Sequence, residues 1–173
     1  MISPEDMAAH SVRFRRMLPE DVEQVYAIDV LSFKLPWSVR SYRYEVTENQ
    51  ASRDWVAEAV DDQGHTQIVG MIVVWVILDE AHVATIAVHP DFRRRGIGRQ
   101  LLALALLDAL ESGVTQSLLE VRRGNLNAKA IYEQFGFEVV GVRPGYYADN
   151  HEDALLMTLN PIRVDILRKY APQ

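Results

Sequence analysis

Arg93, Arg94 and Arg95 stand directly before Gly96-Ile97-Gly98-Arg99, and an apolar run of helical length opens at Ile97. Glycines at alternate positions let backbone N–H groups approach a bound anion with no Cβ in the way. A helix N-terminus adds roughly half a positive charge aimed at the same point. The segment therefore suits a pyrophosphate. It lacks the Lys-Ser/Thr pair of a P-loop and the third glycine of a dinucleotide fingerprint, so neither a nucleotide triphosphatase nor a Rossmann dehydrogenase fits. Taken alone, the same residues also read as a plain glycine turn beside a solvated arginine run. The chain has no cysteine, which excludes Cys nucleophiles, thiolate metal sites and disulfides. His82, His89 and His151 lack metal-ligand spacing and read as surface or strand-end residues, so no metal is expected.

The elements around this loop follow from patterning. A strand is expected over 12–17, and Pro19-Glu20-Asp21 suits a helix entrance for a helix to about Phe33. Leu35-Pro36-Trp37-Ser38 stops that helix and caps a short second one to about Val46. Residues 55–60 and 67–78 read as strands joined by the turn Asp61-Asp62-Gln63-Gly64, the second dense enough in Val, Ile and Trp for burial on both faces. A strand over 82–88 ends at His89-Pro90. The apolar helix from Ile97 to about Glu111 closes at Gly113 in a left-handed cap. A strand over 117–122, a helix capped by Asn125 and ended by Gly136, and strands over 138–143 and 154–159 complete the order βααβββαβαββ. Antiparallel strands followed by strand–helix alternation predict an α/β (α+β) fold: one mixed sheet with helices on both faces.

Composition supports this frame. With 173 residues, 49% hydrophobic and 24% charged, one domain over 1–173 is expected, its core about 12–160 and its two tails peripheral. The longest apolar stretch, 68–78, falls short of the roughly 20 residues of a membrane helix, so no membrane role is expected. The N-terminus shows no basic segment followed by an apolar core. Together with the absence of cysteine, this favours a cytoplasmic address. Residues 1–90 carry 7 Lys/Arg against 14 Asp/Glu, whereas 91–173 carry 11 against 10. That imbalance argues against broad nucleic-acid binding and favours a cationic partner for the first half and an anionic ligand near the arginines.

Further along, Leu119-Glu120-Val121-Arg122, Asn125, Tyr132 and Gly136-Phe137 follow Arg93, Gly96 and Gly98 at the distance of one βα unit. Together these resemble the GNAT acetyltransferases. Pro36-Trp37-Ser38, Leu78-Asp79-Glu80-Ala81 and the segment from Arg143 to Tyr146-Tyr147 narrow the resemblance to the ribosomal-protein alanine N-acetyltransferase group. The resemblance implies a sheet splayed between its fourth and fifth strands, acetyl-CoA as co-substrate in the cleft, and the N-terminus of a protein as acceptor, with a ribosomal protein that starts with Ala expected. It implies a cofactor contact at Asn125 and Tyr132, and a backbone N–H for the oxyanion around Val88, in Ile86-Ala87-Val88. Leu35 to Ser38 and Tyr146-Tyr147 would line the acceptor's entry. Gly124 stands where many family members carry Ser or Ala, and Pro144-Gly145 precedes the tyrosines, so a different substrate loop is expected.

Acyl transfer from a thioester to an amine needs a neutral amine, a stabilised oxyanion and a proton for the departing thiolate. An α-amine is about one-tenth to one-sixth neutral at pH 7, and an ordinary carboxyl lies about 3.5 units below it, roughly 5 kcal/mol uphill. Glu120 as base is therefore expected either to be buried or to work through a relaying water. Tyr132 resembles the family's acid, a phenol that stays protonated near neutrality. The plain alternatives are Glu120 paired with Arg122 or Arg123, Tyr132 packed in the core beside Phe135 and Phe137, and Trp37 as core. Two rival functions stand beside this reading: a GNAT enzyme for a small amine or lysine side chain, and a non-catalytic acyl-CoA-binding module. The oligomeric state is not legible.

Overall fold

The computed structural model describes residues 11–173; the expectations for residues 1–10 lie outside it. Seven strands form one sheet in the order β1-β2-β3-β4-β5-β7-β6. They are β1 (Ser11–Arg16), β2 (Ser52–Val60), β3 (Thr66–Ile77), β4 (Glu80–Val88), β5 (Gln116–Arg122), β6 (Glu138–Arg143) and β7 (Ala154–Leu159). Every neighbouring pair is antiparallel except β4–β5. The helices are α1 (Val22–Ser32), α2 (Val39–Thr47), α3 (Ile97–Leu110), α4 (Leu126–Phe135) and α5 (Val164–Tyr170). The mixed sheet with helices on both faces is as expected, and β2 begins three residues before the strand read from sequence.

Two apolar layers hold the helices to the sheet. On one face Val22, Val25, Ile28 and Tyr42 from α1 and α2 meet Val56, Met71, Val73 and Ala87. On the other, Leu101, Leu102, Ala105 and Leu106 of α3 meet Val69, Ile72 and Val74, with Phe135 and Leu167 completing the layer. β3 feeds both layers, which explains why its apolar run does not alternate. At Gly70 a Cβ would meet the side chains of Leu101 and Ile97 at 3.0 and 3.1 Å, so glycine lets α3 lie directly against β3.

The expected splay is present. β4 and β5 pair only through residues 80–83 and 116–119, after which the strands part. On its other edge β4 bulges, since Val73 faces Thr85 while Val74 faces Val83, leaving Ala84 unpaired. The tail expected to be peripheral at the C-terminal end is not so. Residues 164–170 form α5, Leu167 is 1% exposed, and the Tyr170 ring packs on Phe135 with centroids 4.9 Å apart. A helix this short has too few turns to show a period in sequence and draws its stability from docking.

Candidate active site

Where β4 leaves β5, its outer edge faces the gap. The His89 N–H donates to the Val69 carbonyl at 2.8 Å. Backbone alternation along an extended strand then turns the N–H groups of Val88 and Ile86 to the opposite side, toward the space β5 has vacated, with Ala87 between them. The Val88 carbonyl on that side accepts from Arg93 Nε at 2.9 Å. Pro90 ends the strand in a single tight turn. The chain then rises through Arg94 (φ 62°) and Gly96 (φ 79°) into α3.

These arginines serve the loop in different ways from the sequence expectation. Arg93 folds back onto the Val88 carbonyl and reaches Ser32 Oγ at 3.3 Å, and the Arg95 guanidinium lies 4.9 Å from the Phe92 ring centre. Both guanidiniums brace the turn, where the sequence suggested contact with an anion. What the loop presents is backbone: the first N–H groups of α3, at Ile97, Gly98 and Arg99, have no acceptor within the helix. A Cβ at Gly98 would meet nothing nearer than Val88 Cγ2 at 3.8 Å. Packing within the protein would accept a side chain there, and with glycine the approach to the helix end is open.

Across the gap, Glu120 leaves β5 on the α1–α2 face, between Leu119 and Val121, which point into the other layer. It is exposed, so of the two routes expected from sequence the buried base is not found. Nor does it pair with Arg122 or Arg123. Its Oε1 lies 3.4 Å from Arg143 Nη1, and it accepts a hydrogen bond from the Tyr146 hydroxyl, which holds that phenol above its ordinary range. Arg122 turns the other way, its guanidinium 3.8 Å from the Tyr147 ring centre and bonded to Asp149 at 2.9 Å. Arg123 pairs with Asp153. The two tyrosines meet edge to face at 5.2 Å, so the 144–153 loop is fastened to the rim beside Glu120. Gly124 contributes to this: its N–H donates to Glu152 Oε2 at 2.7 Å, an approach that a Cβ, 2.8 Å from the same oxygen, would obstruct.

Tyr132, on α4, is buried, with its ring edge-on to Phe137 at 5.8 Å. Burial, reinforced by the neighbouring Tyr147, pushes its phenol above the ordinary range, so it keeps its proton at neutral pH. It is both a core residue, as the plain reading had it, and a protonated group near the loop. Asn125 caps α4 by accepting the Ala128 N–H at 3.2 Å.

The α1–α2 connection forms the remaining wall. Buried Asp29 accepts the Trp37 N–H and the Tyr42 hydroxyl, each at 2.8 Å, and burial raises its own proton affinity. That anchor fixes Pro36 and Trp37 while Leu35 stays exposed, and Ser38 Oγ caps α2 by accepting the Ser41 N–H at 3.0 Å. Asp29 carried no signal in sequence beyond being an acid inside an apolar helix face.

A sheet opened between two parallel strands, with a helix N-terminus at one side of the opening and protonated and ionisable groups at the other, defines a protein that transfers an acyl group from a CoA thioester. Residues 22–137 match the Acetyltransferase (GNAT) family, and the chain belongs to it. It is an acetyl-CoA-dependent N-acetyltransferase. The ribosomal protein bS18-alanine N-acetyltransferase of Salmonella typhimurium is 38% identical over 142 residues, 80% of this chain and 90% of that one. The structure of the ribosomal-protein-S18-alanine N-acetyltransferase of Escherichia coli superposes with a TM-score of 0.76 at 28% identity, covering 88% and 96%. NAA60 of Arabidopsis thaliana in complex with acetyl-CoA, at 19% identity, shares the fold with a TM-score of 0.77 over 87% and 98% of the chains. Among the described residues no helix is long and apolar enough to cross a membrane, and no cluster of metal-ligating side chains occurs.

Proposed function

We propose that this enzyme acetylates the N-terminal α-amine of a protein, a ribosomal protein beginning with Ala, by direct attack of the amine on the thioester. The observation that carries the reading is the likeness, over most of both chains, to enzymes named as alanine N-acetyltransferases of ribosomal protein S18. The site's geometry agrees with it. Acetyl-CoA supplies the activated acyl group, with its pyrophosphate on the N–H groups of Ile97, Gly98 and Arg99. The Val88 N–H, on the outer edge of β4, is the donor suited to the charge that develops on the carbonyl oxygen. Asn125, at the cap of α4, and Tyr132, within it, would add contacts to the bound cofactor.

Exposed Glu120 takes the amine's proton through a water, the second of the two routes the sequence allowed. Arg143 and Tyr146 hold its carboxylate in place. Tyr132, kept protonated by burial, gives its proton to the departing thiolate. The acceptor enters between Leu35-Pro36-Trp37-Ser38 and Tyr146-Tyr147.

The test is to incubate the protein with acetyl-CoA and peptides differing in their first residue, alongside polyamines and N-terminally blocked lysine peptides. Mass and fragment analysis should place the acetyl group on the α-amine of the Ala peptide. Acetylation of lysine or of a polyamine alone would overturn the reading, and no transfer at all would favour a binding module.

A further inference from the structure

Where α2 passes over β3 the surface carries a groove of about 480 Å³, lined by Pro36, Trp37, Ser38, Ser41, Glu45 and Trp75. Its two indoles are stacked, 6.0 Å between centroids and 20° from parallel. Glu45 is only 7% exposed. One of its oxygens, Oε2, accepts from Trp75 Nε1 at 3.0 Å and from Asn49 Nδ2 at 2.7 Å. The other oxygen has no hydrogen-bond partner among the described residues. A second buried acid stands close by: Asp54, 5% exposed, holds Ser52 Oγ at 2.5 Å, and burial together with the Glu45 charge lifts its carboxyl to about 6. Neither carboxylate forms an ion pair among the described residues. Asp54 has the charges of Arg16 and Arg53 near it, but buried Glu45 has no ion-pair partner among the described residues, and a buried carboxylate left without a cation is costly to keep. A groove walled by indole faces is where a cation with an apolar stem is best received, because the ring quadrupole attracts the charge and the stem packs on the rings.

We propose that this groove is a subsite for a basic side chain of the acceptor polypeptide, with Glu45 facing its charge and Trp37 and Trp75 flanking its stem. The inference rests on the reading that the acceptor is a polypeptide N-terminus, and it adds which chemistry downstream of that terminus is selected. The sheet sets the position. Trp75 lies opposite His82 on β4, His82 lies beside Leu118 on β5, and Glu120 is two residues further along. With strands about 4.8 Å apart and a rise of about 3.3 Å per residue, Trp75 and Glu120 are roughly 12 Å apart, three to four steps of an extended chain. The favoured basic residue is therefore the fourth or fifth of the acceptor.

The experiment compares otherwise neutral peptides beginning with Ala and carrying one arginine, walked from the second to the sixth residue, with peptides carrying neutral citrulline at the same place. Arginine at the fourth or fifth residue should lower KM about tenfold relative to citrulline with kcat little changed. In Glu45→Gln and in Trp37→Leu, each checked for folding by its melting curve, that ratio should fall to about one. A second readout does not depend on catalysis: tryptophan fluorescence titrated with the N-terminally acetylated arginine and citrulline peptides should respond more tightly to arginine. Equal KM values together with equal titrations would overturn the subsite. A fluorescence preference for arginine without α-amine acetylation of any peptide would support the subsite and count against the acceptor reading alone.

Discussion

Glu120 and Tyr132 divide two proton transfers between an exposed group and a buried one, and their variants should separate accordingly. Glu120→Gln keeps the shape but cannot accept a proton. Its rate should fall most at low pH, where the α-amine is mainly charged, and recover in part as pH rises, whereas Tyr132→Phe should slow the chemical step with little change in CoA binding. Pre-steady-state rates across pH 6 to 9 measure both, and an unchanged profile in Glu120→Gln would remove that residue from the mechanism. Asp54 gives a prediction about stability. Burial lifts its carboxyl from the ordinary 3.8 to about 6 in the folded protein, so the folded state holds the proton more tightly. The stability that protonation confers is complete below about pH 4 and is lost as pH rises through 6, amounting to about 3 kcal/mol. Asp54→Asn should therefore raise Tm by several degrees at pH 7.5 and hardly at all at pH 4, as calorimetry at the two pH values would show.

At the scale of elements, the β4–α3 connection carries the strongest expectation. Gly98→Glu puts a carboxylate where the helix end meets the pyrophosphate, yet the open space around that Cβ leaves the fold intact. CoA affinity should drop by at least tenfold with Tm nearly unchanged, and calorimetric titration of the variant with CoA decides it. This connection was readable in sequence because glycine spacing, Pro90 and the apolar run from Ile97 are all local signals. Gly113 and Gly136 end their helices with positive φ, as their placement suggested. What sequence did not disclose depends on partners far away along the chain. Arg93 folds back to Ser32, Glu120 meets Arg143, and α5 docks on α3 and α4; none of these pairings leaves a periodic trace. The exposure of Glu120 is of the same kind, since it follows from the parting of β4 and β5.

Over the whole molecule, charge is sorted along the chain, with the acids concentrated in residues 1–90, which also supply the α1–α2 wall of the site. An acidic half should raise the encounter rate of a basic polypeptide through long-range attraction, which salt screens over about 10 Å at 0.1 M. For an Ala peptide with basic residues downstream, kcat/KM should therefore fall several-fold between 20 and 300 mM salt, while its acidic counterpart reacts more slowly and changes little. Equal values for the two peptides, without salt dependence, would make the acids a solvated face with no part in capture.

The parting of β4 from β5 also bears on how the chain is assembled. Four residue pairs join the two strands, and the backbone first passes from one side to the other through residues 111–115, α5 later returning to dock on α3. A cut at Gly113 would leave two fragments, one holding the Gly96 loop and the other Asn125 and Tyr132. A thioester ligand that touches both pieces binds their union and neither fragment alone, so it strengthens reassembly as its concentration rises above its Kd. Severed in this way, the enzyme becomes a split sensor whose reconstituted fraction reports the acyl-CoA level around it.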